Sequence, residues 1–449
     1  MRPEIHFTPE RNWMNDPVGL IRYQGYYHLF YQYFPYEKRW GTMHWGHAVS
    51  KDLVSWRHLP IALYPSRLED CNGCFSGSAA QDGGKMYLYY TGVRYDKVSP
   101  DNIHESENGL FTSCQLGIAS PDGFTFDSHE KKLLIPAFTD PKLGSRVHTR
   151  DPKVWKDSDG WHMVLGSQYE RQGQSAGQLL FYESRDGWTW SFQNRCLLPG
   201  EVMVECPDLF RADGSWVLMA SLMGRGTGEE PEHISYAGVT DFHPETGELH
   251  VHSDRLFPLD DGMDLYAAQT MKDEQGRNVM FAWVRMPKAL EGEPWIGMYT
   301  LPRVVTVRNG RLRYAVHPYV KEKFTKACGP QVCSGDVVRL VAELEEGGRI
   351  NIGGYEIRRN GRMLDTDRTR VFPKDAARWL RRTHTKLADG RCSLEIYVDH
   401  GILEIFVNEG ERVITQVVYG MQGAICWEKV KGLCCWKIED ASADVLPEC

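Results

Sequence analysis

Three acidic residues occupy places in the chain that suit chemistry. Asp16 and Asp151 are each followed by proline, and Glu205 directly precedes a Cys206-Pro207 pair that matches those Asp-Pro steps. Brought together, such carboxylates are the equipment for cleaving a glycosidic bond, one serving as nucleophile or base and a protonated one as general acid on the leaving oxygen. Taken singly, each has a plainer reading, because acids at strand ends also cap loops or pair with arginine, and Arg150 stands beside Asp151. The chemistry therefore depends on whether the fold makes the three converge.

A self-comparison of the chain supplies the geometry. A small or acidic start, a few mixed residues, a glycine-containing turn and a short apolar run recur five times: from Asp16 to Tyr31, Gly77 to Tyr90, Asp151 to Leu165, Cys206 to Met219 and Ala267 to Trp283. The starts lie about 60 residues apart. Runs such as Met86 to Tyr90 and Trp216 to Met219 are too short for helices and are bounded by turn residues, so each copy predicts a β-hairpin. An outer hairpin follows in three of them, marked by Ser-x-Asp and a later aromatic: Ser50, Asp52 and Trp56; Ser120, Asp122 and Phe126; Ser184, Asp186 and Trp190. Two hairpins make a four-stranded blade, and five units make a five-bladed β-propeller. The innermost strand of every blade lines the central channel, so matching starts meet near the axis and the three carboxylates are expected to face one pocket.

From about Tyr319 the repeat is lost. Alternating segments such as Leu394 to Val398 and Ile402 to Val407, separated by a turn at Asp399-His400-Gly401, predict a second all-β domain, a β-sandwich. The expected division is a catalytic propeller over 1–318 and a sandwich over 319–449. Lys374 to Leu387 reads as a loop or short turn, its weak helical pattern interrupted by Arg381-Arg382 and Thr383.

Composition narrows the class. With 449 residues, 42% hydrophobic, 25% charged and a net charge of -8, the chain is neither a disordered tail nor a nucleic-acid binder working through a basic surface. Its 14 Trp, 21 Tyr and 17 Phe suit a β-rich, sugar-handling enzyme. No apolar run reaches the roughly 18 residues that cross a bilayer, since Val18 to Phe34 is interrupted by Arg22, Gln24 and His28. The Met1-Arg2-Pro3-Glu4 start lacks a secretory pattern, so a cytoplasmic protein without membrane partners is expected. Twelve scattered cysteines read as reduced thiols. Cys71-x-x-Cys74 lacks the second ligand pair of a structural zinc site, and His44-x-x-His47 lies in an aromatic, strand-like stretch; neither calls for a metal, and no cofactor is implied.

Four blocks, Trp13-Met14-Asn15-Asp16-Pro17-Val18-Gly19, Phe75-Ser76-Gly77-Ser78, Arg150-Asp151-Pro152 and Glu205-Cys206-Pro207-Asp208, resemble in order and spacing the signature of glycoside hydrolase family 32, the β-fructofuranosidases. That family includes invertases, sucrose-6-phosphate hydrolases, inulinases and levanases. Thr300-Leu301-Pro302-Arg303 and Ile402 to Asn408 extend the resemblance over essentially the whole chain. It implies that Asp16 is the nucleophile, Glu205 the general acid and then base, and Asp151 a stabiliser of the developing positive charge. It also implies a fructosyl pocket lined by Asn15, Gln32, Trp40, Phe75, Ser76, Arg150, Tyr266 and Trp283. Retention of configuration would follow, with nucleophile and acid about 5–5.5 Å apart. The acid should have its pKa raised by burial and like charge.

Trp45, Trp56 and Trp190 read as blade packing, and Trp295 fits either role. Val18, Phe34 and Ala268 depart from the usual family residues, the first two bearing on the leaving group at the pocket mouth. The expected substrate is sucrose or sucrose 6-phosphate, with short fructo-oligosaccharides and fructosyl transfer left open. A phosphate would want a cation at the rim, for which Lys38, Arg39, Arg94, Arg225 and Arg285 are candidates. The rival readings are an inverting pentosan hydrolase, with carboxyls about 6.5–9.5 Å apart, and a propeller that only binds sugar. The wording of the motifs counts against the first, and the intact acids against the second.

Overall fold

The computed structural model describes residues 1–171, 174–198, 203–223, 233–328 and 336–438, so Arg225, Cys333 and Cys449 lie outside the described residues. Five antiparallel sheets follow one another along the chain. Blade 1 holds strands Asn12–Tyr23, Tyr26–Phe34, His44–Ser50 and Arg57–Leu63; blade 2 holds Cys74–Asp82, Lys85–Tyr95, Phe111–Ser120 and Lys132–Ile135. Blade 3 holds Arg150–Lys156, Trp161–Arg171, Gln174–Ser184 and Ser191–Leu198. In blade 4, Met203–Ala212, Ser215–Met223 and His233–His243 are followed by two short outer strands, Glu248–His250 and Phe257–Pro258, which share the edge of His233–His243. Blade 5 holds Leu265–Lys272, Asn278–Val284, Arg303–Arg308 and Arg311–Val316.

The first strand of each blade lies against the first strand of the next, and that of blade 5 against that of blade 1, which closes the ring. The seam is strengthened where Asn12 and Trp13 pair in parallel with Trp295 and Ile296. This is the five-bladed propeller expected from the repeats.

The local devices are the ones the repeats carry. Ser120 Oγ donates to Asp122 at 2.8 Å while the same carboxylate oxygen accepts the N–H groups of Phe124 and Thr125, and Ser50/Asp52 and Ser184/Asp186 repeat the turn. Between blades the filling is aromatic. Trp45 packs on Phe30 and Tyr90, Trp190 on Tyr89, and Trp56 on Phe7 and Phe281. Trp295 is structural too: it is fully buried, and its Nε1 donates to Glu293 at 2.6 Å. At Gly166 a Cβ would meet the Val204 carbonyl oxygen at 2.1 Å, so blades 3 and 4 touch backbone to backbone there.

After the one-turn helix Pro318–Lys321 the chain builds a nine-stranded sheet folded into a nearly closed sandwich. The long strand Val338–Ile352 belongs to both layers: its first half pairs with Ser393–Asp399 and its second half with Tyr355–Asn360, while Ile425–Lys437 runs along its other edge. The register breaks between Leu344 and Arg349, at Gly347-Gly348, where the strand passes from one layer to the other. Leu340, Ile350, Ile396 and Ile405 fill the space between. The reading of Lys374 to Leu387 as loop or turn needs correcting, because Arg382–Lys386 is a strand paired with Met363–Asp367. Its alternation, with Thr383 and Thr385 buried, is a period of two that the apparent helical spacing masked.

Propeller and sandwich meet through buried ions. Arg303 contacts Glu404 Oε2 at 2.8 Å and Asp260 Oδ2 at 3.1 Å, and His6 bridges Asp399 at 2.8 Å and Glu404 at 3.2 Å. Among the described residues no helix is long and apolar enough to cross a membrane.

Candidate active site

All five inner strands carry a β-bulge at the same level. Two residues of the first strand oppose one of the second at Asn15-Asp16, Asp151-Pro152, Cys206-Pro207 and Ala267-Ala268, and Ser76 is the extra residue in blade 2. A bulge bends its strand and re-aims a side chain, and it tolerates proline, which has no N–H to give to the ladder. Asp151, Cys206 and Ala267 adopt φ of 63°, 46° and 53°, an uncommon conformation for residues other than glycine. Each of these turned N–H groups is held by the preceding blade: Asp151 N donates to Thr91 Oγ1 at 3.0 Å, Cys206 N to Asp151 Oδ2 at 2.9 Å, and Ala267 N to Ser221 Oγ at 3.0 Å. The repeat thus delivers a row of redirected side chains to the axis.

The three carboxylates meet there. Asp16 accepts Ser76 Oγ at 2.6 Å on Oδ2 and Asn15 Nδ2 at 3.1 Å on Oδ1. The Cys206 thiol lies 3.5 Å from Asp16 Oδ2 and 3.6 Å from Asp151 Oδ2, bridging the two aspartates. Glu205 is gripped at both ends, with Arg150 Nη2 at 2.6 Å and Nε at 3.2 Å from Oε1, and the Tyr266 hydroxyl at 2.5 Å from Oε2. His148 Nδ1 lies 3.4 Å from Arg150 Nη1; burial and the Arg150 cation pull its pKa down to about 4, so the ring is neutral.

Electrostatics separates the three acids, though not in the expected order. Burial raises Asp16, with the Ser76 hydrogen bond opposing and the Glu205 charge adding. Burial raises Asp151 to about 7, with Arg150 opposing and the charges of Glu205 and Asp16 adding. Burial also pushes Glu205 up, but Arg150 and the Tyr266 hydroxyl outweigh it, and the net direction is down. The raised pKa expected of Glu205 is therefore found on Asp16 and Asp151 instead, because the guanidinium sits on Glu205.

Of the other expected pocket residues, Asn15, Ser76, Arg150 and Tyr266 touch the carboxylates directly. Gln32 is buried and donates to the Cys74 carbonyl at 3.0 Å. Trp40 is 39% exposed and meets the edge of Phe75 at 5.8 Å. Trp283 stacks edge-on against Trp13 at 5.8 Å, beside Cys206, Tyr266 and Ala267, and its buried Nε1 has no hydrogen-bond partner among the described residues. Cys206, His148 and Thr91 were missed as site residues. Only Cys206 carried a signal, its alignment with the two Asp-Pro aspartates. Val18 is fully buried in the packing between blades 1 and 2, away from the pocket mouth where it was expected, and Phe34 is buried under the ring of His104.

Two spacings with a metal look resolve into packing. His47 stacks on Phe30 at 4.0 Å and bonds His28, His44 bonds the Thr42 carbonyl, and Cys74 is buried beside Asp70 whereas Cys71 is exposed. A cavity of about 430 Å³ between blades 4 and 5 and the sandwich, and another of about 580 Å³ between blades 3 and 4, contain none of the three carboxylates.

Known proteins resemble this chain over nearly its whole length. The chain is 32% identical to the sucrose-6-phosphate hydrolase of Escherichia coli over 93% of its length and 89% of the relative's. The GH32 beta-fructofuranosidase of Bombyx mori superposes with a TM-score of 0.80 at 26% identity, covering 97% of this chain and 94% of that one, and a variant of that enzyme is solved in complex with sucrose. The sucrose-6-phosphate hydrolase of Lactobacillus gasseri shares the fold with a TM-score of 0.83 at 24% identity, over 98% of this chain and 93% of that one. With the glycosyl hydrolases family 32 N-terminal domain matching residues 6–318 and the family's C-terminal domain matching residues 351–432, this chain belongs to glycoside hydrolase family 32 and is a fructosyl-cleaving glycosidase.

Proposed function

We propose that the chain, through a catalytic unit spanning 1–318, hydrolyses the β-D-fructofuranosyl bond of sucrose or sucrose 6-phosphate with retention, by way of a fructosyl ester on Asp16. The observation that carries this reading is the meeting of Asp16 and Asp151, within matching bulges, and Glu205, beside a third, each with different partners. Ser76 and Asn15 hold Asp16 in one orientation, as a nucleophile requires. An Asp16 oxygen bonds to the anomeric carbon as the bond to the leaving sugar breaks, and Glu205 gives its proton to the departing oxygen. Water then attacks the same carbon, its proton passing to the Glu205 carboxylate, which frees Asp16 and releases fructose. Asp151 faces the sugar as its positive charge develops.

Burial pushes Asp151 up to about 7, while Arg150 and the Tyr266 hydroxyl hold Glu205 down. Hydroxyl groups of a bound fructosyl unit that donate to Asp151 favour its anion, and that nearby negative charge in turn favours a proton on Glu205. Tyr266 at Oε2 accommodates both states, because a phenol can donate to the carboxylate or accept from the acid. A cytoplasmic setting is supported by the ten described cysteines, all of which are free thiols.

The test compares wild type and Asp16→Asn on sucrose, sucrose 6-phosphate, a short inulin oligomer and a pentosan. Fructose release that disappears in the variant is the expected result. Release from the pentosan alone, or from no sugar, would overturn the reading.

A further inference from the structure

We propose that Arg285, held between Tyr266 of the propeller and Trp379 of the sandwich, is the anion-binding group on the leaving-group side of the site and recognises a phosphate on the departing sugar. The proposal rests on the fructosidase reading above. The guanidinium carbon of Arg285 lies 5.3 Å from the centre of the Tyr266 ring and 5.8 Å from that of Trp379. The hydroxyl at the far end of that tyrosine is 2.5 Å from Glu205 Oε2. The cation is therefore separated by one aromatic ring from the carboxyl that serves the leaving oxygen, a spacing suited to the far end of a hexose bound there.

Arg285 lacks a carboxylate partner among the described residues. Its Nη2 donates to the Met263 carbonyl at 2.6 Å and its Nε to the Asp264 carbonyl at 3.4 Å, while Nη1 makes no hydrogen bond among the described residues. The nearby acid, Asp264, is committed elsewhere: Arg368 donates to both of its oxygens, and Val417 N donates to Oδ2 at 2.9 Å. Burial lowers the pKa of Arg285, with the Asp264 charge opposing, yet an arginine stays charged at any working pH. The result is a fixed cation with a free donor edge and, among the described residues, no carboxylate bound to it. Anchored on two main-chain carbonyls and stacked on two rings, it is oriented for a planar, two-bonded grip on phosphate.

Two of the rival cations are differently engaged: Arg39 is bound to Glu37 at 2.6 Å and faces Glu105 at 3.6 Å, and Lys38 donates to the Glu293 carbonyl. Arg94, by contrast, is exposed on blade 2, and its side chain makes no hydrogen bond or ion pair among the described residues. Trp379 gives the sandwich a part in this subsite, because it rises from the turn that follows Phe372 and packs on that ring at 6.2 Å.

The test measures wild type, Arg285→Gln, Arg285→Lys and Trp379→Ala on sucrose and sucrose 6-phosphate, with glucose 6-phosphate and glucose as inhibitors. For Arg285→Gln the kcat/KM ratio of sucrose 6-phosphate to sucrose is expected to fall about 10–100-fold, mostly through KM, with a matching loss of glucose 6-phosphate inhibition. Arg285→Lys keeps the charge without the planar fork and is expected to lose less. It carries the test should the glutamine variant fail to fold. Equal losses on both sugars would overturn the proposal, since they would mean that Arg285 acts only by supporting Tyr266. A wild type that prefers neither phosphorylated ligand would overturn it as well. Thermal stabilisation of the wild type by glucose 6-phosphate, absent in Arg285→Gln, reads the subsite even if no fructoside is cleaved, which separates this failure from that of the fructosidase reading.

Discussion

Arg150 places two nitrogens on a single oxygen of Glu205, Nη2 at 2.6 Å and Nε at 3.2 Å from Oε1. Burial would raise the pKa of this carboxyl, and the guanidinium reverses the direction. The cluster therefore contains one tightly held anion and, at Asp151, a carboxyl that burial pushes up to about 7. Apparent pKa values measured on the enzyme will belong to the set of three acids.

Arg150→Gln tests this arrangement. Loss of the cation raises Glu205, so the alkaline limb of kcat/KM, where the general acid loses its proton, should move to higher pH. The rate at the optimum should fall by about 10–100-fold, because a charged contact in the site is lost. A full pH profile of both proteins checks it, and an alkaline limb that stays in place would contradict the role given to Arg150.

Cys206→Ala removes a weak donor shared by Asp16 and Asp151. Its hydrogen bond lowers the pKa of Asp16, so the variant should have a higher Asp16 pKa and an acidic limb of kcat/KM displaced to higher pH. The loss of kcat should be small, about 3–10-fold, as suits a weak sulfur donor. Burial and the surrounding carboxylates push the thiol well above its usual pKa, so it should also resist thiol reagents in the native protein.

Glu205→Ala should lose about 10²–10⁴-fold in sucrose hydrolysis, the scale of positioned proton transfer. With a fructoside whose leaving group needs no protonation, added azide should restore turnover and give a fructosyl azide of retained configuration, since an anion needs no base to attack the ester on Asp16. Product analysis by NMR decides this. Absence of the azide adduct would remove Glu205 from the acid–base role.

His6 is a reporter of the joint between propeller and sandwich. Burial opposes its charge, but the hydrogen bonds to Asp399 and Glu404 more than offset this, and its pKa rises from 6.5 to about 9. A raised pKa in the folded state contributes stability that is fully present below 6.5 and is lost as pH climbs through about 9. The contribution is at most about 3 kcal/mol. His6→Gln should lower Tm at pH 6 and flatten the decline of Tm between pH 6.5 and 9, which calorimetry across that range measures. An unchanged slope would count against the ion cluster.

How much of this was legible beforehand differs from residue to residue. The hairpin repeats were written in short apolar runs and in the Ser-x-Asp turns, because those are local signals: a hydroxyl and a carboxylate two residues apart close the same turn wherever they occur. Asp16, Asp151 and Glu205 could be matched to one another because each blade repeats the same strand, and a closed ring carries matching residues to one axis. What stayed hidden was everything set by contact between distant segments. The bulges that turn Asp151 and Cys206 inward depend on pairing with a second strand and on acceptors from the preceding blade. The direction of the Glu205 pKa depends on which oxygen Arg150 reaches, and the stack of Trp379 on Arg285 joins two domains far apart in sequence. By itself the sequence determined which residue types repeat and at what interval; the tertiary structure alone decided which charges touch, because Coulomb and desolvation energies depend on distances of a few ångströms that spacing along a chain does not encode.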